Sequence, residues 1–219
     1  RTADLAIEVE QGRYLAEHIP GAKLVELAGE DHLWWVGDTE SVVNEVAEFL
    51  TGKQQTIEPD RVLATVLFTD IVDSTRRAAE MGDRRWRDLL GTHNTMLSKE
   101  INRFRGHLVK STGDGCLATF DGPARAIRCA LAISDESRNM GLEIRAGLHT
   151  GEIELIKQDI GGLAVHIAAR VLAQAQPNEV WLSRTVKDLV VGSGFEFSER
   201  GDFSLKGIPG EWRLFTVQR

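Results

Sequence analysis

The chain has 219 residues, of which 42% are hydrophobic and 27% are charged, and its formal net charge is −7. This composition is ordinary for a globular protein, and the acidic balance argues against the basic face that nucleic-acid-binding proteins present. No uncharged run approaches the roughly 18 residues that a membrane-spanning helix requires. We therefore expect no nucleic-acid partner, no membrane segment, and one domain with a smaller appendage.

Residues 1–50 are predicted to form the appendage. The run 22–27 favours a short strand, and 29–35 favours a loop. Asp38 is placed to cap a helix whose apolar residues recur at helical spacing up to Gly52. The polar stretch 51–60, which contains a proline, is typical of a linker. The chain starts at Arg1 in mid-pattern, so we expect it to be a piece of a longer protein.

Two polar residues of the appendage, Asp4 and His32, occur in the order acid and then histidine. With them, residues 1–50 resemble the C-terminal end of an α/β-hydrolase, in which such a pair follows the nucleophile. No Gly-x-Ser-x-Gly motif occurs anywhere in the sequence. The resemblance therefore implies a remnant of that fold, and we expect no hydrolytic activity from it.

From residue 61 to 219, helical and strand patterns alternate around a central hairpin. This mixture predicts an α+β sandwich rather than a strictly parallel sheet. Strands are predicted at 62–70, 106–120 (the hairpin), 142–149, 152–156, 179–183, 195–199 and 213–217. Helices are predicted at 73–104, 123–138, 162–174 and 184–190.

Two acids follow apolar strand patterns. Asp70 ends the first strand, and Asp114 lies in Gly113-Asp114-Gly115, an Asp-Gly turn of the kind that joins two hairpin strands. Each acid alone is also compatible with a turn or cap, and Asp73 is an alternative to Asp70, although its position favours a helix N-cap. Together, on adjacent strands beside a helix N-terminus, the two acids indicate a site for divalent cations and phosphate.

The two cysteines, Cys116 and Cys129, fall in a strand pattern and in the apolar stripe of a helix. These positions favour buried structural thiols, which suit a reducing compartment. We therefore expect the protein to be cytoplasmic.

The segments Phe68-Thr69-Asp70-Ile71 and Gly113-Asp114-Gly115 resemble the two metal-bearing elements of the class III adenylate/guanylate cyclase catalytic domain. The resemblance covers about residues 62–217, with the motifs in the order of that family. It implies a ferredoxin-like class III cyclase sandwich. It also implies that Asp70 and Asp114 bind two divalent ions, Mg²⁺ or Mn²⁺, with the carbonyl of Ile71 as a further ligand.

The same resemblance implies how the base is read. Lys110 stands where adenylate cyclases of the family carry a lysine that donates to the adenine ring, and Asp159 is similar to the aspartate that accepts from the adenine amino group. The chemistry agrees, because guanine places an oxygen where adenine carries that amino group, and Asp159 would repel it. The pair therefore favours ATP over GTP. A strand-edge lysine and a loop aspartate are the structural alternative.

His166 and Arg170 are four residues apart and project from one face of a predicted helix. In the family an asparagine and an arginine occupy these positions, where they orient the ribose and stabilise the pentavalent phosphorus. Arg170 matches and His166 departs from the pattern, since histidine is bulkier than asparagine and titrates. The resemblance thus implies catalytic roles for both and puts the turnover rate in question.

Two further cations match the family. Arg145 resembles a residue that contacts the triphosphate, and Lys206 resembles the lysine that holds its far end. His149 has no second histidine or cysteine at ligand spacing, so we interpret it as structural.

The predicted function is an adenylate cyclase that converts ATP to 3′,5′-cyclic AMP and pyrophosphate by a two-metal mechanism at a homodimer interface. An extended strand would hold Lys110 about 13 Å from Asp114, which is consistent with sites shared between two chains. Two alternatives stay open. One is a weak or inactive cyclase-like module that binds nucleotide and dimerises, which the His166 substitution favours. The other is a guanylate cyclase, which the Lys110/Asp159 pair disfavours.

Overall fold

The computed structural model describes residues 1–52, 60–157 and 159–218. The chain divides into two compact units, with the division between residues 58 and 59. Most of the predicted linker, 51–60, lies outside the described residues, and Thr51 is the last residue of a helix. The predicted domain boundaries of 1–50, 51–60 and 61–219 therefore stay a prediction.

The first unit contains two helices, α1 (Val9–His18) and α2 (Thr39–Thr51). The second is the predicted one: the Asp38 carboxylate accepts from the backbone N–H of Ser41, and Gly52 ends the helix in the left-handed region. Helix α1 was not predicted. The predicted strand at 22–27 is wrong, because the described part of this unit has no neighbouring strand with which it could form a ladder.

The second unit, which we call the cyclase-like unit, has eight strands and five helices among its described residues. The strands are β1 (Arg61–Ile71), β2 (His107–Ser111), β3 (Gly115–Phe120), β4 (Ile144–Ile156), β5 (Asp159–Gly161), β6 (Val180–Ser183), β7 (Phe197–Ser204) and β8 (Glu211–Val217). The helices are α3 (Ser74–Met81), α4 (Asp83–Arg103), α5 (Pro123–Asn139), α6 (Leu163–Gln174) and α7 (Arg184–Leu189). The α+β class predicted from the sequence is confirmed.

The strands form one sheet in the order β2-β3-β1-β4-β6-β8-β7, with β5 paired to β4. Strand β1 is antiparallel to both of its neighbours, β3 and β4, whereas β4 and β6 run parallel. The centre of the sheet is therefore the long β1–β4 ladder, which extends from the pair Arg61↔Glu154 to the pair Ile71↔Ile144.

Alternating side chains of the sheet enter two cores. Leu67 and its equivalents on β3 and β4 pack with α4 and α5, while Val66 and Leu117 pack with Ala164 and Ala168 of α6 on the opposite face. This alternation follows from the two-residue period of a strand. Helices therefore pack against both faces of the sheet.

The predicted bounds need correction in three regions. The helical region 73–104 is two helices, because Gly82 adopts φ 81° between α3 and α4. The runs 142–149 and 152–156 are one strand, since β1 pairs with β4 across the glycine that separates them. The predicted strands at 195–199 and 213–217 correspond to β7 and β8. Both strands are longer than predicted, so the connection between them is shorter. No helix in the described ranges is long and apolar enough to cross a membrane.

Candidate active site

The two predicted metal acids lie side by side at one end of β1 and β3. Asp70 is paired in register with Gly115, the residue after Asp114. A Cβ atom at Gly115 would lie 1.8 Å from the carbonyl oxygen of Thr69, so only glycine allows this approach, and Gly113 turns the chain at φ +101°. The Gly-Asp-Gly sequence therefore places the Asp114 carboxylate next to that of Asp70.

Arg145 pairs with Asp70. The two residues are opposite each other on β4 and β1, and the Nε and Nη2 atoms of Arg145 donate to Oδ2 of Asp70 at 3.0 and 2.6 Å. Burial raises the pKa of the Asp70 carboxyl, Arg145 opposes that rise, and the nearby Asp114 charge adds to it. The site thus holds two mutually repelling carboxylates and one guanidinium. The sequence suggested a triphosphate contact for Arg145 and did not indicate this ion pair.

Ser74, which the sequence reasoning did not name as a site residue, is the first residue of α3. Its hydroxyl donates a hydrogen bond to Oδ2 of Asp114. Its position could have indicated a site role, because a hydroxyl side chain at the predicted start of a helix lies four residues after Asp70. Asp73 occupies the predicted N-cap position, but at φ 55° its side chain makes no capping hydrogen bond and pairs with Arg76 at 2.9 Å.

Asp70 and Asp114 fit a hard divalent cation. Their oxygens are the ligands that Mg²⁺ and Mn²⁺ prefer. Burial raises the Asp70 pKa most and repulsion from Asp114 adds to the rise, so a cation between the two carboxylates would relieve that repulsion. The side chain of Ile71 is buried, so only its backbone carbonyl could serve as a ligand. Within the described ranges no cluster of three or more His, Cys, Asp or Glu residues is present. Two carboxylates are sufficient for Mg²⁺ where substrate oxygens complete the shell.

Lys110 on β2 and Asp159 on β5 form a second group. Their charged atoms, Nζ and Oδ2, are 2.5 Å apart, and their side chains are 50% and 45% exposed. The hydrogen bond from Lys110 lowers the pKa of Asp159, and the backbone N–H of Ile160 lowers it further. The two residues are 49 positions apart in the chain, and the structure brings together the donor and the acceptor that the sequence assigned to the base; their contact with a base stays a prediction.

The third group lies on α6 and on the turn before β8. His166 is exposed one helical turn before Arg170, as the four-residue spacing predicted. The Nε atom of Arg170 donates to the backbone carbonyl of Lys206 at 3.0 Å. This contact anchors the Lys206 turn to α6 and brings two of the predicted phosphate-binding cations together.

No hydrogen bond or ion pair joins these three groups to one another within residues 60–157 and 159–218. The 13 Å separation of Lys110 and Asp114 rested on an extended strand. That premise is wrong, because β2 ends at Ser111 and the N–H of Thr112 bonds the carbonyl of Gly115 across the turn. The distinction between the metal acids and the base-reading pair therefore rests on their separate hydrogen-bonded groups among the described residues.

Three residues assigned structural roles are buried as expected. The Nδ1 atom of His149 lies 2.7 Å from the Ser183 hydroxyl in the core, and burial lowers its pKa to about 4. Cys116 and Cys129 are buried thiols without a disulfide. Burial raises the pKa of Cys116 to about 11, so this thiol stays protonated at neutral pH.

In the first unit, Oδ2 of Asp4 lies 2.9 Å from Nδ1 of His32. The hydrogen bond with His32 and the backbone N–H of Ala6 lower the Asp4 pKa to about 2. The sequence-based pairing of these two residues is thus present. A pair of this kind orients an imidazole, and it requires a separate nucleophile for hydrolysis.

Comparison with known proteins is consistent with this geometry. Residues 58–219 match the family described as the adenylate and guanylate cyclase catalytic domain. A pH-sensitive adenylate cyclase of Mycobacterium tuberculosis is 27% identical over 161 residues, which are 71% of this chain and 40% of that protein. The chain spans 28% to 40% of the length of several curated relatives that it matches.

Two solved structures are similar to the cyclase-like unit. The adenylyl cyclase CyaB from P. aeruginosa superposes with a TM-score of 0.70 at 21% identity, covering 74% of this chain and 97% of that one. An adenylate/guanylate cyclase/hydrolase from Silicibacter pomeroyi gives 0.63 at 28% identity, covering 73% and 98%. The sheet order, the paired acids and the family match agree: this chain belongs to the adenylate and guanylate cyclase catalytic domain family.

Proposed function

We propose that the cyclase-like unit converts ATP to 3′,5′-cyclic AMP and pyrophosphate. Family membership supports the reaction class. The choice of ATP over GTP is carried by one observation, the Lys110–Asp159 pair at 2.5 Å. Adenine presents a ring acceptor beside an exocyclic donor, and this pair supplies the matching donor and acceptor. Guanine would set its oxygen against the Asp159 carboxylate, and an unpaired polar contact of this kind costs a few kcal/mol of discrimination.

Lys110 and Asp159 contact each other in the structure. Adenine would therefore break this one contact and form two hydrogen bonds, one with each residue. Lys110 and Asp159 are about half exposed, and surface ion pairs of this kind contribute only about 0–1 kcal/mol. Opening the pair therefore costs little. The bound base would regain a hydrogen bond to each residue in a more enclosed setting, which favours the substrate that satisfies both.

The remaining residues are proposed to act on the triphosphate and ribose. Two divalent ions held by Asp70, Asp114 and the Ile71 carbonyl would supply activation of the ribose 3′-hydroxyl and neutralise triphosphate charge. Arg170 stabilises charge at the phosphorus undergoing displacement, and Lys206, which is tethered near it, holds the far phosphates. His166 orients the ribose through an imidazole hydrogen bond.

We further propose that the active form is a homodimer with two shared sites. The metal acids and the base-reading pair form separate groups within one chain. A two-fold arrangement would join the acids of one protomer to the Lys110–Asp159 pair of its partner. The specific activity should then rise with protein concentration and reach a plateau once dimers predominate.

Product formation from ATP and from GTP tests this function. The purified chain with excess Mn²⁺ or Mg²⁺ should form cyclic AMP and should prefer ATP to GTP by at least about tenfold, since 1.4 kcal/mol corresponds to a factor of ten. Asp159→Ala should reduce that preference while leaving metal dependence intact. A preference for GTP would overturn the assignment of the base-reading pair.

A nucleotide-binding module without turnover is the second candidate, and the histidine at position 166 favours it. ATP binding by calorimetry without cyclic AMP formation would establish that function. The variant His166→Asn should then restore turnover if this substitution alone is responsible.

The proposed compartment is the cytoplasm, which is consistent with two buried thiols and no disulfide.

For residues 1–50 we propose a remnant of an α/β-hydrolase, supported by the Asp4–His32 contact alone. A remnant without a nucleophile should hydrolyse p-nitrophenyl acetate no faster than its His32→Ala variant does.

A further inference from the structure

We infer that Arg145 is a resident counter-ion that neutralises Asp70 until a divalent ion replaces it, and that this exchange releases Arg145 for the triphosphate. The inference rests on the proposed function, since it concerns the same metal acids. It assigns Arg145 a role before substrate arrives, in addition to the phosphate contact that its position suggests.

The Arg145–Asp70 contact is a partly buried ion pair with two hydrogen bonds. Both donating atoms of Arg145, Nε and Nη2, converge on a single oxygen of Asp70, and the side chains are only 37% and 23% exposed. The backbone positions are fixed, because β1 and β4 pair at these residues and the neighbouring Thr69 and Ala146 are buried. Only side-chain rotation is needed to make or break this contact.

Electrostatics place the Arg145 contact and a metal ion in competition for the Asp70 carboxylate. Asp70 and Asp114 are close enough for their charges to repel, and the guanidinium offsets that repulsion within the chain. A divalent ion that binds Asp70 would meet the positive charge of Arg145 a few ångströms away, where like charges repel strongly in a partly buried site. Because both Arg145 hydrogen bonds go to Oδ2 of Asp70, an ion that binds this carboxylate weakens the contact and favours release of the guanidinium.

The displaced guanidinium has an evident new partner. A nucleoside triphosphate brings several negative charges to the same strand ends, and a guanidinium binds phosphate oxygens with the same planar fork that it uses for a carboxylate. Metal binding would thus make triphosphate binding more favourable, and by reciprocity the triphosphate would favour metal binding. Arg145 couples the two events without any movement of the sheet.

The test is Mn²⁺ binding in the absence of nucleotide, with unbound Mn²⁺ counted by its electron paramagnetic resonance signal. Arg145→Met should bind Mn²⁺ on the order of tenfold more tightly than the wild-type chain, because the competing charge is gone. Arg145→Lys keeps a charge without the fork, so its affinity should lie between the two and provides a second variant if the methionine substitution disturbs folding.

Arg61→Met is the matched control. Arg61 pairs with Glu154 at 2.8 Å on the same two strands, at the opposite end of their ladder. This variant should leave Mn²⁺ affinity unchanged. Equal or weaker binding by Arg145→Met would overturn the inference, because it would mean that Arg145 prepares Asp70 for the metal or has no part in binding.

A further variant separates this inference from the proposed function. Asp70→Asn should abolish the tight Mn²⁺ site. Wild-type binding that does not depend on Asp70 would overturn the proposed metal site and the exchange with it. Asp70-dependent binding that is insensitive to Arg145 would overturn the exchange alone.

Discussion

The two units of this chain differ in how much of their sequence is buried. Neither helix of the first unit has a buried residue, and Phe49 and Leu50 of α2 are 62% and 75% exposed. In the cyclase-like unit, by contrast, side chains such as Leu67 and Ile127 are completely buried between sheet and helices. Local sequence patterns predict most strands of the cyclase-like unit, because these strands have neighbours with which they pair. The same kind of pattern wrongly predicted a strand at 22–27 in the first unit, where no neighbouring strand is described.

The largest effect should come from Gly115. An added methyl group would overlap the carbonyl of Thr69 and would force β1 and β3 apart. We expect Gly115→Ala to lower the free energy of unfolding by about 3 kcal/mol or more, measured by urea denaturation, and to abolish Asp70-dependent metal binding.

Gly91 supplies the control for that substitution. It lies within helix α4, and a Cβ there would meet no atom within 4 Å. Gly91→Ala should stabilise the protein by up to about 1 kcal/mol because alanine has the higher helix propensity. Similar losses from both substitutions would contradict the close approach at Gly115.

Acid should destabilise the cyclase-like unit through His93 and His149. Burial lowers the pKa of each imidazole from 6.5 to about 4. Below pH 6.5 the unfolded chain gains protons that the folded chain does not, so stability is complete above that pH and decreases towards pH 4. The loss should be a few kcal/mol per histidine, seen as a fall in the urea midpoint between pH 7 and pH 4.5.

His93 allows this pH effect to be isolated. Its Nε2 atom lies 3.1 Å from the Ser137 hydroxyl in the α4–α5 core. A His93→Gln variant can keep that hydrogen bond but has no group that titrates, so its stability should change less with pH. An unchanged pH dependence would show that His93 is not buried as described.

The smallest effect is expected in the first unit. Leu50→Ser on the exposed end of α2 should change the free energy of unfolding by less than about 0.5 kcal/mol, whereas Leu67→Ala in the core should cost about 2–5 kcal/mol. Thermal unfolding of both variants measures the difference. A large loss from Leu50→Ser would mean that another surface covers α2.

The local sequence patterns predicted the secondary structure that carries the candidate site residues. The Gly-Asp-Gly turn and the four-residue spacing of His166 and Arg170 follow from hairpin and helix geometry, so both could be placed before the structure was known. Lys110 and Asp159 were paired by the resemblance alone, since nothing local relates residues that are 49 positions apart.

The contacts that were missed depend on strand register. Arg145 reaches Asp70 across 75 positions because β1 and β4 align these two residues, and no periodicity reveals such an alignment. Ser74 contacts Asp114 because the β1–α3 turn folds over the hairpin. Helix α1 was also missed, and none of its residues is buried, so no packing against a core marks it in the structure.

We propose that this chain is an adenylate cyclase whose sites are completed by a second copy. Complementation tests it most directly: Asp114→Ala and Lys110→Ala proteins, each inactive alone, are mixed and assayed for cyclic AMP formation from ATP. Random pairing should restore about a quarter of the wild-type specific activity, since half of the dimers would hold one intact site. A mixture that stays inactive, although the two variants form mixed dimers, would contradict shared sites.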